Sequence, residues 1–350
     1  MSTITTGVYS RTYRQDFLLR RTWLERARLA LVLLAIAVAP FLLSVYWLEV
    51  ATQIAIAAIG AIGLNILVGF TGQISLGQGG FLAVGAFTAG LTAIHTGLNP
   101  LAGVALAGVV GAVVGGFFGL PALRLKGLYL AIATLASQVI ITWSIIHLSF
   151  LGAAEPLAIV EPATVFGWTV SGTWEWFWVI AAFAAVAAVL ATNLFRTGVG
   201  RAFVAIRDQD IAAEAVGVNV AGYKILAFAL SSAFAGVAGA LTAYRDTFLT
   251  WESFTFEISI LYLAMIIVGG LGSVSGAIYG AAFIIGLQAF LQELGGNLQG
   301  SFPSVQENLP AIQQIIFGLT IVLFLIFEPR GLARIWQRSK DYLRLWPFRY

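Results

Sequence analysis

Side chains able to do chemistry are scarce in this sequence, and they gather in three places. The first is Gly69-Phe70-Thr71-Gly72-Gln73-Ile74-Ser75-Leu76-Gly77-Gln78-Gly79-Gly80, with Asn65 just before it. The second echoes the first 200 residues later: Val68-Gly69-x-x-Gly72-x-x-Ser75 recurs as Val268-Gly269-x-x-Gly272-x-x-Ser275, with Ser273 inside the repeat and Ile66 matched by Ile266. Hydroxyls, amides and glycine backbone bring no strong acid–base group. They can hydrogen-bond a passing zwitterion weakly. Two readings of the echo stay open: chance in a chain with 38 Gly, or corresponding positions of two structural repeats. For the first cluster the alternative is a solvated turn with close helix packing.

The third place carries charge. The segment 196–222 holds Arg207, Asp208, Asp210, Glu214 and Gly217. Asp208 or Asp210 is placed to cap a short helix through Ala212–Ala215, which Gly217 would end. A short helix on a basic face suits docking to a soluble partner; a plain solvated loop that fixes topology is the alternative.

Other chemistry has few means here. The chain has no Cys, no G-x-x-x-x-G-K-[ST], no H-E-x-x-H and no G-x-S-x-G, and its two His, His95 and His147, stand 52 residues apart. An enzyme is left with almost no acid–base groups. No catalytic residue, metal ligand or cofactor is expected.

The elements that position these clusters are membrane helices. The chain is 59% hydrophobic and 10% charged, against about 25% charged in soluble domains. No Asp, Glu, Lys or Arg occurs from Val50 through Leu123, a run of 74 residues. A bilayer core takes roughly 20 helical residues per crossing. The uncharged runs predict an all-α polytopic membrane protein with ten spans near 29–48, 50–70, 80–96, 100–122, 127–149, 175–195, 223–244, 257–268, 275–292 and 310–327. The third and eighth are short enough to be re-entrant. No carboxylate lies well inside a span, where cation-coupled carriers usually keep one.

Charge sorts cleanly with that count. With the N-terminus inside, 18 of the 19 basic residues face inward and only Arg245 faces outward. The division is a basic tail 1–28, a membrane domain 29–327 with an inner loop 196–222 and an outer loop 150–174, and a basic tail 328–350. Both termini are expected in the cytoplasm. The first span lacks a small-residue cleavage site and reads as a retained helix. Trp168, Trp174, Trp176 and Trp178 cluster near the outer start of the sixth span, as an interfacial belt or a docking surface.

Paired glycine-interrupted hydrophobic segments are the best sequence pointer to a transport site. Asn65, Gly69, Thr71, Gly72, Gln73, Ser75, Gln78, Gly269, Gly272, Ser273 and Ser275 are therefore expected on or beside a translocation path and its inner gate.

The segment GLNILVGFTGQISLGQGGFLAVGAFTAG (63–90) resembles the signature of LivH/LivM-like permeases of branched-chain amino acid ABC importers. GRAFVAIRDQDIAAEAVGVNVAGYKILAFALSSAFAGVAGAL (200–241), ISILYLAMIIVGGLGSVSGAIYGAAF (258–283) and FEPRGL (327–332) resemble the LivM-like branch. The resemblance implies an inner-membrane permease subunit that imports branched-chain or other hydrophobic amino acids. Its implied partners are a LivH-like second permease, two cytoplasmic ATPase subunits and an extracytoplasmic binding protein. It also implies an ATPase contact at Arg207, Asp208, Asp210, Glu214 and Gly217, although Glu214-Ala215-x-Gly217 matches only an abbreviated form of the docking pattern. The outer stretch Leu151-Gly152-Ala153-Ala154-Glu155-Pro156 departs from the Thr-Gly-Gly type of relatives. Related systems carry urea, short amides or aromatic acids. An ATP-independent channel or carrier is the reading from another class.

Overall fold

The computed structural model describes residues 23–97, 99–147, 157–158, 163–165, 168–170, 172–298, 309–328 and 331–345. It is built of helices: α1 Trp23–Leu42, α2 Val45–Asn65, α3 Gln78–Thr96, α4 Pro100–Phe118, α5 Leu128–His147, α6 Thr173–Leu194, α7 Gly198–Asp208, α8 Asp210–Ala215, α9 Val220–Asp246, α10 Phe256–Gly269, α11 Val274–Leu298, α12 Leu309–Phe327 and α13 Gly331–Leu345. Eight are long and apolar enough to cross a membrane, counting α2 with its continuation to Phe70 and α10 with the 3-10 turn before it; Ala311–Phe324 within α12 is a shorter apolar stretch. The protein is an all-α polytopic membrane protein.

Several expected boundaries move. The first two spans part at Ser44, not near Glu49. A lone carboxylate at headgroup level does not break a helix, whereas Pro40 and the extended Ser44 backbone stop one and start the next. The 28/29 boundary falls inside α1, which begins at Trp23. The tail 328–350 is not plain coil: 331–345 form α13. Of the third and eighth spans, α3 has 19 residues, or ~28 Å, enough for a bilayer core. The 14 residues of α10 rise only ~21 Å. Most of 150–174, and residues 1–22, lie outside the described residues.

The long helix α9 is central and packs on α4, α3 and α2. Small residues permit the approach, as at Gly85, where an added Cβ would run into the Gly236 backbone. Phe81, Phe228, Ile59, Leu64 and Met265 fill the core between these helices. Val109, Val113 and Phe117, spaced four apart along α4, stay exposed, a stripe suited to lipid.

Two sets of connections gather at opposite ends. At one, β1 (Leu157–Ala158) pairs antiparallel with β4 (Phe248–Leu249), and β2 (Ala163–Val165) pairs with β3 (Trp168–Val170). Trp174 donates from Nε1 to the Pro40 carbonyl at 3.2 Å and packs edge-on against Phe41. Trp176 is buried, and Trp178 remains exposed. At the other end meet the glycine turns, the 119–127 connection, α7, α8 and the start of α13.

Candidate functional site: two glycine turns clasped beneath the helical hairpin

The first cluster begins where α2 changes form. Ile66–Phe70 is a π-helical turn, a feature that recurs at functional sites. Thr71 closes it by donating from Oγ1 to the Leu67 carbonyl at 2.5 Å. Gly72 then takes φ +69°, left-handed backbone that glycine alone adopts freely. Residues 72–77 run without helix to Gln78, the first residue of α3.

Unwound backbone in a buried place needs partners. The Gln73 amide donates to the Leu67 carbonyl at 3.2 Å. The Leu76 amide donates to Thr134 Oγ1 at 2.9 Å, and the Gly77 amide donates to Ser75 Oγ at 3.4 Å. Gly79 donates to Ser259 Oγ at 2.8 Å, and Ser259 in turn donates to Gln138 Oε1 at 2.6 Å. Gln78 Nε2 reaches the Gly60 carbonyl at 2.9 Å. Sequence reasoning missed Thr134, Gln138 and Ser259. Their signal was available: each is a polar residue inside an apolar run, which is costly unless partnered.

The second cluster repeats the first in geometry. Gly269 ends α10, and Gly272 takes φ +74°. Ser273 caps α11, its Oγ accepting from the Gly276 amide at 3.1 Å and lying 3.1 Å from Ser275 Oγ. The echo is therefore structural: Gly72 and Gly272 hold matching left-handed positions after Gly69 and Gly269.

The two turns touch. Asn65 Nδ2 donates to the Ser273 carbonyl at 2.7 Å, and its Oδ1 accepts from the Gly272 amide at 2.9 Å. One buried amide thus satisfies two backbone groups of the second turn. A Cβ at Gly69 would run into both Asn65 Oδ1 and the Gly272 amide.

Arg207, the penultimate residue of α7, reaches into the same place. Its Nη1 donates to the Gly69 carbonyl at 2.8 Å. A Cβ on Gly72 would lie 3.1 Å from Arg207 Cγ, and one on Gly272 would lie 3.0 Å from Arg207 Nη1. Sequence reasoning missed α7 as a helix. Its pattern was legible, since Ala202, Phe203 and Ile206 fall on one buried side.

The chain passes from α7 to α8 through Gln209, which is the N-cap residue and makes no side-chain cap bond. Neither Asp208 nor Asp210 caps, because each carboxylate is drawn to a cation. Asp208 lies 3.6 Å from Arg207. Asp210 opens α8 and binds Lys126 at 2.5 Å and the buried Lys224 at 3.4 Å. It thereby ties α8 to the 119–127 connection and to α9. The Lys126 hydrogen bond, helped by the charges of both lysines, holds the Asp210 carboxyl below its ordinary value against the opposing effect of burial. Gly217, at φ +91°, ends the hairpin as expected. Glu214 is exposed, as are Ile211 at 69% and Val216 at 80%.

A pocket opens at this end, lined by Thr71, Gly72, Gln73, Lys126, Arg207 and Asp210 among others. Gln73 spends Nε2 on Thr71 Oγ1 at 2.9 Å, while its buried Oε1 has no partner among the described residues. Of the sequence-predicted gate residues, Asn65, Thr71 and Gln78 are committed to protein contacts. Gln73 Oε1 and the exposed Ser275 hydroxyl lie nearest to being available, whereas the Ser75 and Ser273 hydroxyls already accept from backbone amides. His95 and His147 sit far from this end, each with Nδ1 3.0 Å from the carbonyl one helical turn back.

Residues 46–325 match the family model described as the permease component of branched-chain amino acid transport systems. The chain belongs to that family. It is 32% identical over 327 residues to the LivM permease protein of Salmonella typhimurium, covering 86% of this chain and 73% of that protein. It is 33% identical over 327 residues to LivM of Escherichia coli K12, covering 87% of this chain and 73% of the relative. An autoinducer 2 import permease, LsrC of Escherichia coli, is 28% identical over 162 residues, covering 44% of each chain. No solved structure matches. The family places this chain among multi-pass transport permeases.

Proposed function

We propose that this chain is one of two permease subunits of an ABC importer for branched-chain or other hydrophobic amino acids. It sits in a bacterial cytoplasmic membrane with both termini inside. A LivH-like permease, two ATPase subunits and an extracytoplasmic binding protein complete the machine. The chain supplies the path and hydrolyses nothing itself.

The two-sidedness of the α7–α8 hairpin carries this reading. Its outward side offers Ile211, Val216 and Glu214, and its inward side holds Arg207 on the Gly69 carbonyl. An ATPase subunit gripping the hairpin through Asp208, Ile211, Glu214 and Val216 moves Arg207 with it. Arg207 then shifts both glycine turns, because Asn65 links them. The π-turn and the left-handed glycines are the joints that absorb the shift. The solute passes beside Gln73, Ser75, Ser273 and Ser275. Gln73 Oε1 is an acceptor for its ammonium group, and weak neutral contacts let it leave.

The test is the complete importer in proteoliposomes, scored for leucine uptake and ATP hydrolysis. Ile211→Asp with Val216→Asp should leave insertion intact and lower uptake by tenfold or more, together with hydrolysis driven by the binding protein. Wild-type uptake would return the hairpin to a topology-fixing loop. A second reading, the same machine carrying another small polar solute, draws on the similarity to the autoinducer 2 permeases. A ligand screen of the cognate binding protein separates the two.

A further inference from the structure

Helix α13 plays no part in the transport reading, yet it is not a loose tail. Three residues separate it from the end of α12. Its first residue, Gly331, has φ +70°, and a Cβ there would lie 2.6 Å from the Gly270 nitrogen and 2.7 Å from the Val268 carbonyl. The helix is thus seated on the second glycine turn. Ala333 is buried, and Leu332 packs against the core.

Beyond that seat the helix faces outward with mixed chemistry. Ile335 and Trp336 are 42% and 56% exposed. The Trp336 ring meets Tyr279 at 6.4 Å. Tyr279 lies five residues into α11, so Trp336 sits at a depth of ~7 Å along that helix from the turn. A position this close to a helix end suits a bilayer interface, where tryptophan is enriched. The sequence of α13 carries Arg334, Arg338, Lys340 and Arg344 against Asp341 alone. Arg338 binds Glu328 at 2.9 Å, which leaves most of its five donors unspent. Arg334 is partly exposed, and its Nε is buried with no partner among the described residues.

Apolar groups at interfacial depth with basic groups beside them are the pattern of a helix lying in the plane of a membrane surface. The net positive charge selects the lipid, since zwitterionic headgroups carry no net negative charge. We propose that α13 lies in the inner-leaflet interface and binds anionic phospholipid headgroups through Arg334 and Arg338, while Ile335 and Trp336 enter the acyl boundary. Because Gly331 rests on Gly270 and Val268, bound lipid braces the second glycine turn. The inference needs only that the chain spans a membrane, so it stands or falls apart from the identity of the solute.

The chain lacks cysteine, which makes the test direct. Ser339→Cys in the full-length protein, one turn from Ile335 and exposed, carries an environment-sensitive fluorophore. The protein is placed in phosphatidylcholine vesicles or in vesicles also containing phosphatidylglycerol. The expected result is a blue shift and protection from an aqueous quencher that deepen with phosphatidylglycerol. Co-purified phosphatidylglycerol, read by native mass spectrometry, should fall by on the order of tenfold in Arg334→Gln with Arg338→Gln. A water-like label in both vesicles overturns the proposal, as does equal embedding in both. Protection that appears only when ATPase subunits or a second permease are added assigns the face to protein and overturns it too.

Discussion

Arg207 Nη1 donates to the Gly69 carbonyl at 2.8 Å across 138 residues of sequence. The bond joins the end of a surface helix to a π-turn that packs in the core. The donor is charged, so the bond is stronger than one between neutral groups. The acceptor sits where the chain leaves regular helix. The same guanidinium lies within 3.0 Å of where a side chain on Gly272 would begin, so one residue touches both turns.

Arg207→Ala should therefore uncouple the importer. Removing a hydrogen bond to a charged group costs about 1.5–3 kcal/mol, enough to shift a two-state element by roughly tenfold or more. Hydrolysis stays near wild type while uptake falls by that factor. Arg207→Lys keeps the charge without the planar fork and restores part of the coupling. Transport and hydrolysis assayed on the same vesicles give the ratio. If both fall together in Arg207→Ala, the residue belongs to docking.

Gly72→Ala and Gly272→Ala each force a Cβ into left-handed backbone, at about 1–2 kcal/mol. The Cβ at Gly272 would lie 3.0 Å from Arg207 Nη1 and 3.2 Å from the Gly69 carbonyl, and that at Gly72 would lie 3.1 Å from Arg207 Cγ. Leucine carries three further carbons beyond that Cβ. Both leucine variants should insert and assemble yet lose uptake, with the alanine variants intermediate. Wild-type uptake in both leucine variants, at equal protein level, removes the turns from the gate.

Asp210 gives a pH dependence of definite sign. A carboxyl held below its ordinary value stabilises the folded state above the unfolded value, and that contribution fades as pH falls through the folded one. The tie to Lys126 and Lys224 is therefore whole at neutral pH and lost only below about 3.9. Asp210→Asn mimics the loss and leaves Lys224 buried without its partner. For a partly exposed pair the cost is about 1–2 kcal/mol. Thermal melts of both proteins in detergent should differ by a constant gap from pH 7 to 5. A gap that closes within that range contradicts the assignment.

Much of this was legible in the sequence, for physical reasons. Charge is too costly in lipid to be scattered, so uncharged runs locate α3, α5, α6 and α9 to within a few residues. Glycine is the residue that tolerates φ +69° and +74°, so the echo marks the two turns. The pairing between turns was not legible. Asn65 reaches Ser273 over 208 residues, and no local pattern announces such a partner. The cap of α8 was misread for a related reason. Asp210 looks like a capping residue until Lys126, in an earlier connection, and Lys224, on the next helix, claim its carboxylate. Helix α13 was hidden because a charged segment reads as solvated tail unless its apolar positions are counted on a helical wheel.

Sidedness is the last prediction, and it underlies the others. The segments expected inside meet physically: Lys126 with Asp210, Arg207 with Gly69, and Gly331 with Gly270. The segments expected outside meet at the other end, where Leu157 pairs with Leu249. Clusters at opposite ends of the bundle are predicted on opposite sides of the bilayer. The basic residues decide which group faces the cytoplasm, since Lys and Arg flanking the spans stay inside. Single-cysteine variants Gly198→Cys and Ala158→Cys, in a chain free of native cysteine, should divide accordingly. A membrane-impermeant maleimide applied to intact spheroplasts labels Ala158→Cys and spares Gly198→Cys until the membrane is opened. The reverse pattern would turn the hairpin outward, away from any cytoplasmic ATPase, and the coupling proposal would fall with it.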